Sequence, residues 1–582
     1  MRRTKIVCTL GPATSSISVL KEMLRAGMNV ARLNFSHGSH EEHAATIAAV
    51  RQAALEEKKN LALLLDIRGP EIRIGTFAGG KAVLHDGNRF TLTTEDIAGT
   101  AERVSVSYAG LPGDVAPGMQ ILLDDGLIVL EVLDVTGTEI HCRVVTGGEI
   151  RNRKGVNVPG ARLNMPAVTP KDREDIIFAV KNDLDFIAAS FTRKAEDILA
   201  VRAILEEYRS DIQIIAKIEN REGMENLDSI LEVADGIMVA RGDLGVEVPA
   251  EDVPLLQKQM IKKCNAAAKP VITATQMLES MIRNPRPTRA EASDVANAIF
   301  DGTDAVMLSG ETAVGKYPVE AVRTMARIAE RAETALEYKK MLEVFDQPEE
   351  VSVTDAIASA TCHVAQELDA AAIITATQSG FTARVVSKYK PKARIIAVTP
   401  RQNVARRLAL SWGVYPLLCR PVGTTDEMFA AAIESSLASG YVQNGDLVVI
   451  TAGIPVGISG TTNLLRVHTV GEILIRGTGL GKKAVSGRVR IAKTAAEAAT
   501  VTAGEILVVR ATDRDYVPYL EKAAGLLAEE GGLTSHAAVV ALHLGLPVIV
   551  GAAGAVSVLK DGDLITMDTV RGLVYRGKAT IL

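Results

Sequence analysis

The chain has 582 residues, a net charge of −5, 47% hydrophobic residues and 23% charged residues. At about 150 residues per domain this length predicts about four domains, and the slightly acidic balance excludes the basic footprint of a nucleic-acid or anionic-membrane binder. No apolar run approaches the roughly 20 residues that span a bilayer, we expect no signal peptide, and the five scattered cysteines indicate free thiols in a reducing cytoplasm.

The first 69 residues predict alternating strands and helices. Apolar runs predict strands at Lys5–Thr9, Asn29–Leu33 and Leu61–Leu65, and an amphipathic run predicts a helix at Ile17–Ala26. Ser39, with Glu42 three residues later, predicts a capping box that opens the next helix. From Glu71 to about Pro166 the runs are short, alternating and glycine-rich, which predicts a small all-β insertion between two proline-marked hinges.

The strand–helix alternation resumes at Thr169 and completes a count of eight strands. The later predicted strands are Phe186–Ala189, Ile212–Ala216, Gly236–Ala240, Val271–Ala274 and Ala305–Leu308. Eight strands that are each followed by a helix predict a (β/α)₈ barrel, made of residues 1–69 and 169–341, with residues 70–168 inserted as a β lid domain.

Two further domains are predicted beyond the barrel. Residues 342–472 predict a third, α/β domain, which begins with an acidic linker at Leu342–Val351. Residues 473–582 form a last domain, and the glycine-rich stretch Gly477–Gly481 is interpreted as the join that leads into it.

Polar side chains follow the predicted barrel strands, at the end where such barrels carry their chemistry. They are Arg32, Asn34 and Ser36 after the second strand, Asp66 and Arg68 after the third, Lys217 and Glu219 after the fifth, Gly242 and Asp243 after the sixth, Thr275 after the seventh, and Ser309 and Glu311 after the eighth. In a closed barrel all of them share one mouth, so we expect a single site there. The plainer alternative for the charged members is ordinary ion pairing beside helices.

The residue types at this mouth suit a divalent metal and a phosphorylated substrate. Glu219 and Asp243 supply the hard oxygen ligands that Mg²⁺ prefers, and Arg32 and Lys217 can flank a phosphoryl group whose charge spreads during transfer. The oxygens of Asn34, Ser36 and Asp66 suit a weakly held monovalent cation better than a second Mg²⁺. The β insertion beside the mouth can act as a lid that excludes water.

Eight motifs resemble the pyruvate kinase family, occur in that family's order and cover about the first 470 residues. They are ARLNFSHG (Ala31–Gly38), LDIRGPEIR (Leu65–Arg73), KGVNVPG (Lys154–Gly160), AKIEN (Ala216–Asn220), ARGDLGVE (Ala240–Glu247), ATQMLESM (Ala274–Met281), PRPTRAEASDVANA (Pro285–Ala298) and MLSGETA (Met307–Ala313). The resemblance implies a glycolytic phosphotransferase that moves the phosphoryl group of phosphoenolpyruvate to ADP, giving pyruvate and ATP.

The resemblance also implies a role for each matching residue. Arg32 and Lys217 contact the transferring phosphoryl group, and Thr275 belongs to the proton path to the enolate. The remaining roles are Mg²⁺ (or Mn²⁺) at Glu219 and Asp243; K⁺ at Asn34, Ser36, Asp66 and Ile67; substrate at Arg32, Lys217, Gly242, Asp243, Thr275, Ser309 and Glu311; and nucleotide at Arg73, Lys154 and His37. A homotetramer is implied as well.

The match has two departures from the family's usual residues. Ile67 stands where threonine is usual; because the implied K⁺ ligand is the backbone carbonyl, only its steric surroundings change. Arg68 stands where many members have lysine, which keeps the charge but changes its shape. Glu71 matches the glutamate of K⁺-dependent members.

Three histidines near the second strand, His37, His40 and His43, are interpreted as part of a solvated helix start, because no cysteine or further histidine completes a metal site.

A second phosphate site is predicted in the third domain. Thr377, Ser379, Gly380 and Thr382 lie between a strand and a helix, with Arg384 nearby, and could cradle a phosphate at a helix N-terminus. A plain strand-to-helix turn is the alternative. The family resemblance places an effector site in this domain and implies a phosphorylated effector of the AMP or ribose 5-phosphate type.

The tail contains EEGGLTSHAAVVALHLGLPVIVG (Glu529–Gly551), which resembles the phosphohistidine domain of phosphoenolpyruvate-utilising enzymes. His536 matches the phosphorylated histidine. Nothing in the chain resembles the nucleotide-grasp domain that loads that histidine, which favours a structural role over phosphotransfer.

Two functions remain as alternatives to a kinase. A Mg²⁺-dependent lyase of 2-oxo acids would need the same carboxylates and cation but would have no use for an ADP-binding lid. A phospho-carrier acting through His536 would form an acid-labile phosphohistidine.

Overall fold

The structure is a computed structural model that describes residues 2–345, 352–454, 462–481 and 483–579. The chain forms two compact units. The first holds the barrel, its β insertion and two later stretches, Ser387–Lys390 and Gln402–Pro416; the second holds most of the chain beyond the barrel. Among the described residues, no helix combines the length and apolarity that crossing a membrane requires.

The first unit begins with the opening strands and helices of the barrel. Strands of five residues are buried almost throughout, as is typical of parallel strands covered by helices. Their bounds are β1 Lys5–Thr9, α1 Ile17–Ala26, β2 Val30–Asn34, α2 His40–Glu56 and β3 Ala62–Asp66. The predicted capping box is confirmed, because Ser39 and Glu42 each accept the other's backbone N–H.

The insertion is built almost entirely from β-strands around a core of its own, which includes Phe90, Leu130 and Ile140. Its elements are β4 Lys81–Leu84, β5 Arg89–Thr93, β6 Arg103–Ser105, α3 Leu111–Asp114, β7 Gln120–Leu123, β8 Ile128–Thr136, β9 Glu139–Thr146, β10 Gly148–Arg151 and β11 Val156–Asn157. They form a sheet of order β11-β7-β8-β9-β5-β6 and a two-stranded sheet β10-β4.

The barrel then resumes and closes. Its later elements are α4 Pro170–Lys181, β12 Phe186–Ala189, α5 Ala195–Glu207, β13 Gln213–Ile218, α6 Arg221–Glu225, α7 Leu227–Val233, β14 Gly236–Ala240, α8 Arg241–Glu247, α9 Val253–Ala266, β15 Val271–Ala274, α10 Arg289–Phe300, β16 Ala305–Leu308, α11 Gly310–Ala313, α12 Pro318–Glu333 and α13 Tyr338–Phe345. The closed order is β1-β16-β15-β14-β13-β12-β3-β2, which confirms the predicted eight-stranded barrel. The acidic stretch interpreted as a linker begins inside α13, and its residues 346–351 lie outside the described residues.

The amino-terminal end of the barrel has a repeated device for stability. An Asn or Asp precedes every second strand and accepts a backbone N–H from the neighbouring strand: Asn29 from Ile6 (3.0 Å), Asp185 from Leu63 (2.9 Å), Asp235 from Ile214 (2.8 Å) and Asp304 from Val271 (3.0 Å). The three carboxylates pair with Arg406, Arg202 and Lys390. These contacts stabilise the amino-terminal end of the barrel, and a functional site is expected at the opposite, carboxyl-terminal end.

The chain beyond the barrel begins with an α/β segment. Its elements are α14 Val353–Glu367, β17 Ala372–Ala376, α15 Phe381–Lys388, β18 Arg394–Thr399, α16 Gln402–Arg407, β19 Val414–Leu418, α17 Thr425–Ala438, β20 Leu447–Ala452 and β21 Leu464–Thr469. The sheet has the order β19-β18-β17-β20-β21, and β21 runs antiparallel to β20.

The tail forms an eight-stranded sheet of order β22-β29-β28-β24-β25-β26-β27-β23. Its elements are β22 Ile473–Arg476, β23 Thr478–Leu480, β24 Ala484–Ala492, α18 Ala495–Ala498, β25 Glu505–Val509, α19 Val517–Leu520, β26 Gly525–Ala528, α20 His536–Leu544, β27 Val548–Val550, α21 Ala555–Val558, β28 Leu564–Asp568 and β29 Leu573–Arg576.

The glycine-rich stretch interpreted as a join contains strand β23. A Cβ on Gly479 would lie 2.1 Å from the carbonyl oxygen of Thr569, so this glycine allows a close approach of two backbones and does not mark a linker.

Candidate functional site

A chain of alternating charges lies at the mouth of the barrel, where the strands have their carboxyl ends. The Arg32 Nε donates to Asp66 Oδ2 at 2.6 Å, and the Lys217 ammonium lies 3.1 Å from Asp66 Oδ1 and 2.9 Å from Glu219 Oε1. These groups come from β2, β3 and β13, and the pairing of Asn34 with Asp66 fixes the register of the first two. The convergence predicted for Arg32, Asp66, Lys217 and Glu219 is therefore present.

Burial and charge act against each other in this chain. Burial alone would lower the pKa of Lys217, but the carboxylates of Asp66 and Glu219 outweigh it and raise that pKa above its ordinary value. Burial likewise opposes ionisation of Asp66, yet Arg32 and Lys217 hold the pKa of that carboxyl below its ordinary value. Lys217 and Asp66 are consequently both charged at neutral pH, and the Lys217 ammonium joins the Arg32 guanidinium as a second cation for an incoming anion.

Glu219 and Asp243 form the acidic side of the mouth. Glu219 is buried, and its Oε2 accepts the Phe191 N–H at 2.6 Å. Asp243, near the start of α8, is exposed to the cleft, yet loss of water raises the pKa of its carboxyl to about 7, with the neighbouring charge of Glu219 as the second cause. The two negative charges repel each other, and a divalent cation bound between the carboxylates would remove this repulsion.

Asn34, Ser36, Asp66 and Ile67 lie together where β2 and β3 end. Asn34 Oδ1 accepts the Ser36 N–H at 3.2 Å, and the Ile67 carbonyl accepts a hydroxyl hydrogen bond at 2.7 Å. One carboxylate, already paired with two cations, and neutral oxygens make a donor set of low net charge. It fits a monovalent cation better than a divalent one. Within the described residues no group of three or more acidic, histidine or cysteine side chains could hold a metal.

Thr275 has a strained backbone that is held from two sides. Its φ of 64° is unusual for a β-branched residue, and its hydroxyl accepts the Gly242 N–H at 2.8 Å. The Arg241 guanidinium, paired with Asp294 at 2.7 Å, donates to the Thr275 carbonyl at 2.8 Å. The short helix α8, which we did not predict, therefore presents Gly242 and Asp243 beside Thr275 at a helix N-terminus, a setting that favours anions.

Ser309 and Glu311 follow the last strand of the barrel. Both oxygens of the buried Glu311 accept backbone N–H groups, from Leu278 at 3.0 Å and from Ser309 at 2.7 Å, so Glu311 fixes the shape of the mouth. The buried Ser309 hydroxyl has no hydrogen-bond partner among the described residues.

Two of the three predicted nucleotide residues, Arg73 and Lys154, lie in the insertion. Arg73 pairs with Glu71 at 2.8 Å and donates to the Arg153 carbonyl at 2.7 Å, whereas Lys154 pairs with Asp124 at 2.8 Å. His37 is exposed on the loop after β2.

A cleft runs between the insertion and the barrel. It is lined by Glu71, Asp125 and Asn157 of the insertion and by Asp243 and Glu247 of the barrel, and Asn157 donates to Glu247 at 3.0 Å. The insertion is therefore in contact with the barrel mouth, as a lid would be.

Sequence reasoning missed two residues of the mouth, Thr9 at the end of β1 and Ser190 directly after β12. Thr9 Oγ1 accepts from Arg32 at 2.9 Å, and Ser190 Oγ lies 2.7 Å from the Lys217 ammonium. The rule that found the other residues, a polar side chain after each barrel strand, would have found both of these had it been applied to the first and fourth strands.

The predicted phosphate loop in the α/β segment is a compact turn before α15. Thr377 Oγ1 accepts the Gly380 N–H at 3.0 Å, and the Arg384 Nη1 lies 3.4 Å from the Ser379 carbonyl. The Thr382 hydroxyl pairs with that of Thr462 at 2.9 Å. Thr377, Ser379, Gly380, Thr382 and Arg384 are thus close in sequence and in space, at a helix N-terminus.

In the tail, His536 is the first residue of α20, directly after the capping residue Ser535. Its Nδ1 is hydrogen-bonded to Thr512 Oγ1 at 2.9 Å. This hydrogen bond restricts the orientation of the imidazole ring, and it engages Nδ1 and not Nε2.

Comparison with known proteins adds three family models along the chain. The description "Pyruvate kinase, barrel domain" matches residues 1–322, "Pyruvate kinase, alpha/beta domain" matches residues 355–468, and "PEP-utilising enzyme, mobile domain" matches residues 501–572.

Full-length relatives and a solved structure agree with these models. A pyruvate kinase of Geobacillus stearothermophilus is 56% identical over 585 residues, and one of Bacillus licheniformis is 56% identical over 586, each with 100% of both chains covered. A crystal structure of a pyruvate kinase from Cryptosporidium parvum superimposes with a TM-score of 0.77 at 42% identity, over 81% of this chain and 96% of that one.

Proposed function

The chain belongs to the pyruvate kinase family, and from that premise we propose how the groups at its barrel mouth perform the reaction. It is a phosphotransferase of glycolysis that moves the phosphoryl group of phosphoenolpyruvate to ADP, giving pyruvate and ATP. The observation that carries the assignment of roles is the charge chain Arg32–Asp66–Lys217–Glu219 beside the open Asp243.

Arg32 and Lys217 bind the transferring phosphoryl group. Both are held by Asp66 in advance of substrate, so little reorganisation is needed when negative charge spreads over the phosphoryl oxygens. Transfer is direct: the bond from phosphorus to the enol oxygen breaks as a bond to the terminal ADP oxygen forms. The family resemblance gives Lys217 as the main electrostatic stabiliser, and the Asp66 and Glu219 carboxylates keep its ammonium protonated by raising its pKa.

Glu219 and Asp243 hold Mg²⁺ or Mn²⁺, which when bound neutralises charge on the substrate oxygens. Asn34, Ser36, Asp66 and the Ile67 carbonyl hold K⁺. The donor sets support this division: two facing carboxylates for the divalent cation, and one already compensated carboxylate with neutral oxygens for the monovalent cation.

The carboxylate of the substrate binds at the start of α8, where it would replace Thr275 Oγ1 as the acceptor of the Gly242 N–H, and the Thr275 hydroxyl would turn to it from the Ala274 carbonyl. Thr275 also lies on the path by which the enolate carbon receives its proton, and the buried Ser309 hydroxyl, which has no hydrogen-bond partner among the described residues, is a further polar group at this mouth. Glu311 shapes this end of the mouth through two backbone contacts.

The nucleotide binds under the lid, through Arg73, Lys154 and His37. The two cationic side chains pair with Glu71 and Asp124, and they would exchange these partners for phosphate oxygens. This arrangement favours the kinase over a lyase, which has no use for a second anion site on the lid.

The direct test is an assay of ATP formed from phosphoenolpyruvate and ADP, with Mg²⁺ and K⁺ each omitted in turn. We expect activity to require both cations. Replacement of K⁺ by tetramethylammonium at constant ionic strength separates a specific site from a general salt effect, and full activity in that salt would refute the K⁺ assignment.

We propose that Thr377, Ser379, Gly380, Thr382 and Arg384 bind a phosphorylated effector of the AMP or ribose 5-phosphate type. The turn before α15 supports this, because its hydroxyls and the Gly380 N–H lie at a helix N-terminus, and they would exchange their present hydrogen bonds with one another and with Thr462 for phosphate oxygens. Thr382→Val should abolish activation by ribose 5-phosphate and leave turnover without effector unchanged; retained activation would refute the site.

For the tail we propose a structural role, with His536 not required for the main reaction. The hydrogen bond between Thr512 and His536 would also suit a phosphohistidine at Nε2, so the alternative has a definite prediction. His536→Ala should keep full turnover, and an inactive variant would overturn the accessory role.

We further propose that the chain is a cytoplasmic homotetramer of four-domain subunits, divided at residues 69/70, 168/169, 341/342 and 472/473. An apolar groove between α10 and α12, with Phe300 48% exposed, supports burial against a second copy. Light scattering of the purified protein tests the assembly, and a monomer at micromolar concentration would refute it.

A further inference from the structure

Ser190 stands where two parts of the mouth meet. It is 6% exposed and directly follows β12. Its Oγ lies 2.7 Å from the Lys217 ammonium, 2.7 Å from the Ile67 carbonyl and 3.0 Å from Asp66 Oδ1. One hydroxyl therefore touches the lysine assigned to the phosphoryl group and two oxygens assigned to K⁺.

A hydroxyl has one proton to donate, so these three contacts are not independent. The ammonium has no lone pair and must donate, which makes Ser190 the acceptor toward Lys217. The single O–H proton then serves either the Ile67 carbonyl or Asp66. A cation that is coordinated by those two oxygens competes with the Ser190 proton for them. When the cation binds, the hydroxyl therefore rotates, and the orientation of its lone pairs toward Lys217 changes.

The loop around Ser190 is too firmly held to adjust in other ways. Phe191 has a φ of 53°, and its N–H donates to Glu219. Thr192 is 1% exposed, and its hydroxyl donates to the Ala189 carbonyl at 2.9 Å. Since the backbone on both sides is fixed, any response of Ser190 must come from its hydroxyl.

We propose that Ser190 is a positioning residue that couples occupancy of the monovalent cation site to the placement of the Lys217 ammonium. The inference rests on the proposed K⁺ site and deepens it. When the hydroxyl is absent, the ammonium keeps its direct contact with Asp66 Oδ1, but the second link to the cation site, through Ser190 to the Ile67 carbonyl, is lost.

The test compares Ser190→Ala with Thr192→Val. The control removes a buried hydroxyl from the same loop that touches neither Lys217 nor the oxygens of the cation site. Binding of phosphoenolpyruvate is measured by calorimetry with Mg²⁺ and without ADP, so that no turnover occurs. Each titration is run in KCl and in tetramethylammonium chloride at equal ionic strength.

For the wild-type chain and Thr192→Val we expect KCl to tighten phosphoenolpyruvate binding by about 5- to 150-fold, the usual range for coupled sites. For Ser190→Ala this factor should fall below about 3, because only the direct contact between Lys217 and Asp66 still links the two sites. In the activity assay kcat should fall roughly 10- to 100-fold, the loss typical of a removed hydrogen bond to a charged group.

Two outcomes overturn the inference, and they are distinguishable. If binding to the wild-type chain does not respond to K⁺, the cation site itself is refuted. If the wild-type chain responds and Ser190→Ala responds equally, the site stands and Ser190 does not couple it to Lys217. Should Ser190→Ala fail to fold, Ser190→Cys keeps the bulk with a weaker donor and acceptor, and K⁺ coupling equal to wild type in that variant also overturns the inference.

Discussion

Replacing Lys217 by methionine should leave a folded protein that has lost most phosphoryl transfer. The side chain is 11% exposed, and its ammonium lies 2.9 Å from Glu219 and 3.1 Å from Asp66, so water screens its charge poorly. Loss of one preorganised donor costs about 2.7–4 kcal/mol of transition-state stabilisation, which is a factor of roughly 10²–10³ in kcat.

The same change also affects the stability of the barrel. Removing one partner of a buried ion pair costs roughly 3–5 kcal/mol, and we expect the lower end of that range because Asp66 keeps Arg32 and Glu219 keeps the Phe191 N–H. The measurement is pyruvate formation from phosphoenolpyruvate and ADP, together with the thermal unfolding midpoint.

Lys390→Met is the matched control for this experiment. Lys390 is fully buried, whereas the Lys217 side chain is 11% exposed, and it is likewise paired with an aspartate, Asp304, at 2.8 Å, but at the opposite end of the barrel strands. It should lower the unfolding midpoint and leave kcat of the folded fraction near wild type. A Lys217→Met variant with near-normal kcat would refute the electrostatic role, and an equal loss of kcat in both variants would assign the effect to folding.

Three further predictions follow from other contacts. Burial lowers the pKa of Lys5 from 10.5 to about 7, so between these pH values the unfolded chain binds more protons than the folded one, and the contribution of Lys5 to stability rises with pH. Lys5→Met should therefore remove the rise of the unfolding midpoint between about pH 7 and 10, and an unchanged pH profile would contradict this prediction. Lys154→Ala should raise the KM for ADP roughly 10- to 100-fold, whereas Lys81→Ala, which breaks another lid ion pair, should not; equal effects would count against a nucleotide contact. Asn157→Asp sets a second carboxylate against Glu247, 3.0 Å from the present donor, and should open the lid, seen as faster hydrogen exchange in residues 70–168; unchanged exchange would argue against this contact as a latch.

Most of the barrel could be predicted from sequence because its signals are local. Apolar runs of four to six residues, helix caps such as Ser39 with Glu42, and polar residues after each run recur in order along the chain. The short helix α8 was not predicted. It begins at Arg241, and its Gly242 N–H is bonded to Thr275, the residue directly after the next strand, β15. The glycines around β23 were misread because the backbone they approach is about 90 residues away in sequence, at Thr569.

By itself the sequence determined the eight-stranded barrel, the place of the β insertion between its third and fourth strands, and the family. Each of these depends on residues that are close together along the chain. Only the tertiary structure decided which side chains form ion pairs and hydrogen bonds with one another. Asp66 serves both Arg32 and Lys217, and Ser190 joins Lys217 to the Ile67 carbonyl, across separations of up to 151 residues. Such contacts form only when the barrel closes, because closure brings together strands that are far apart in the sequence. Hydrogen bonds and pKa shifts then depend on distances of a few ångströms between their side chains.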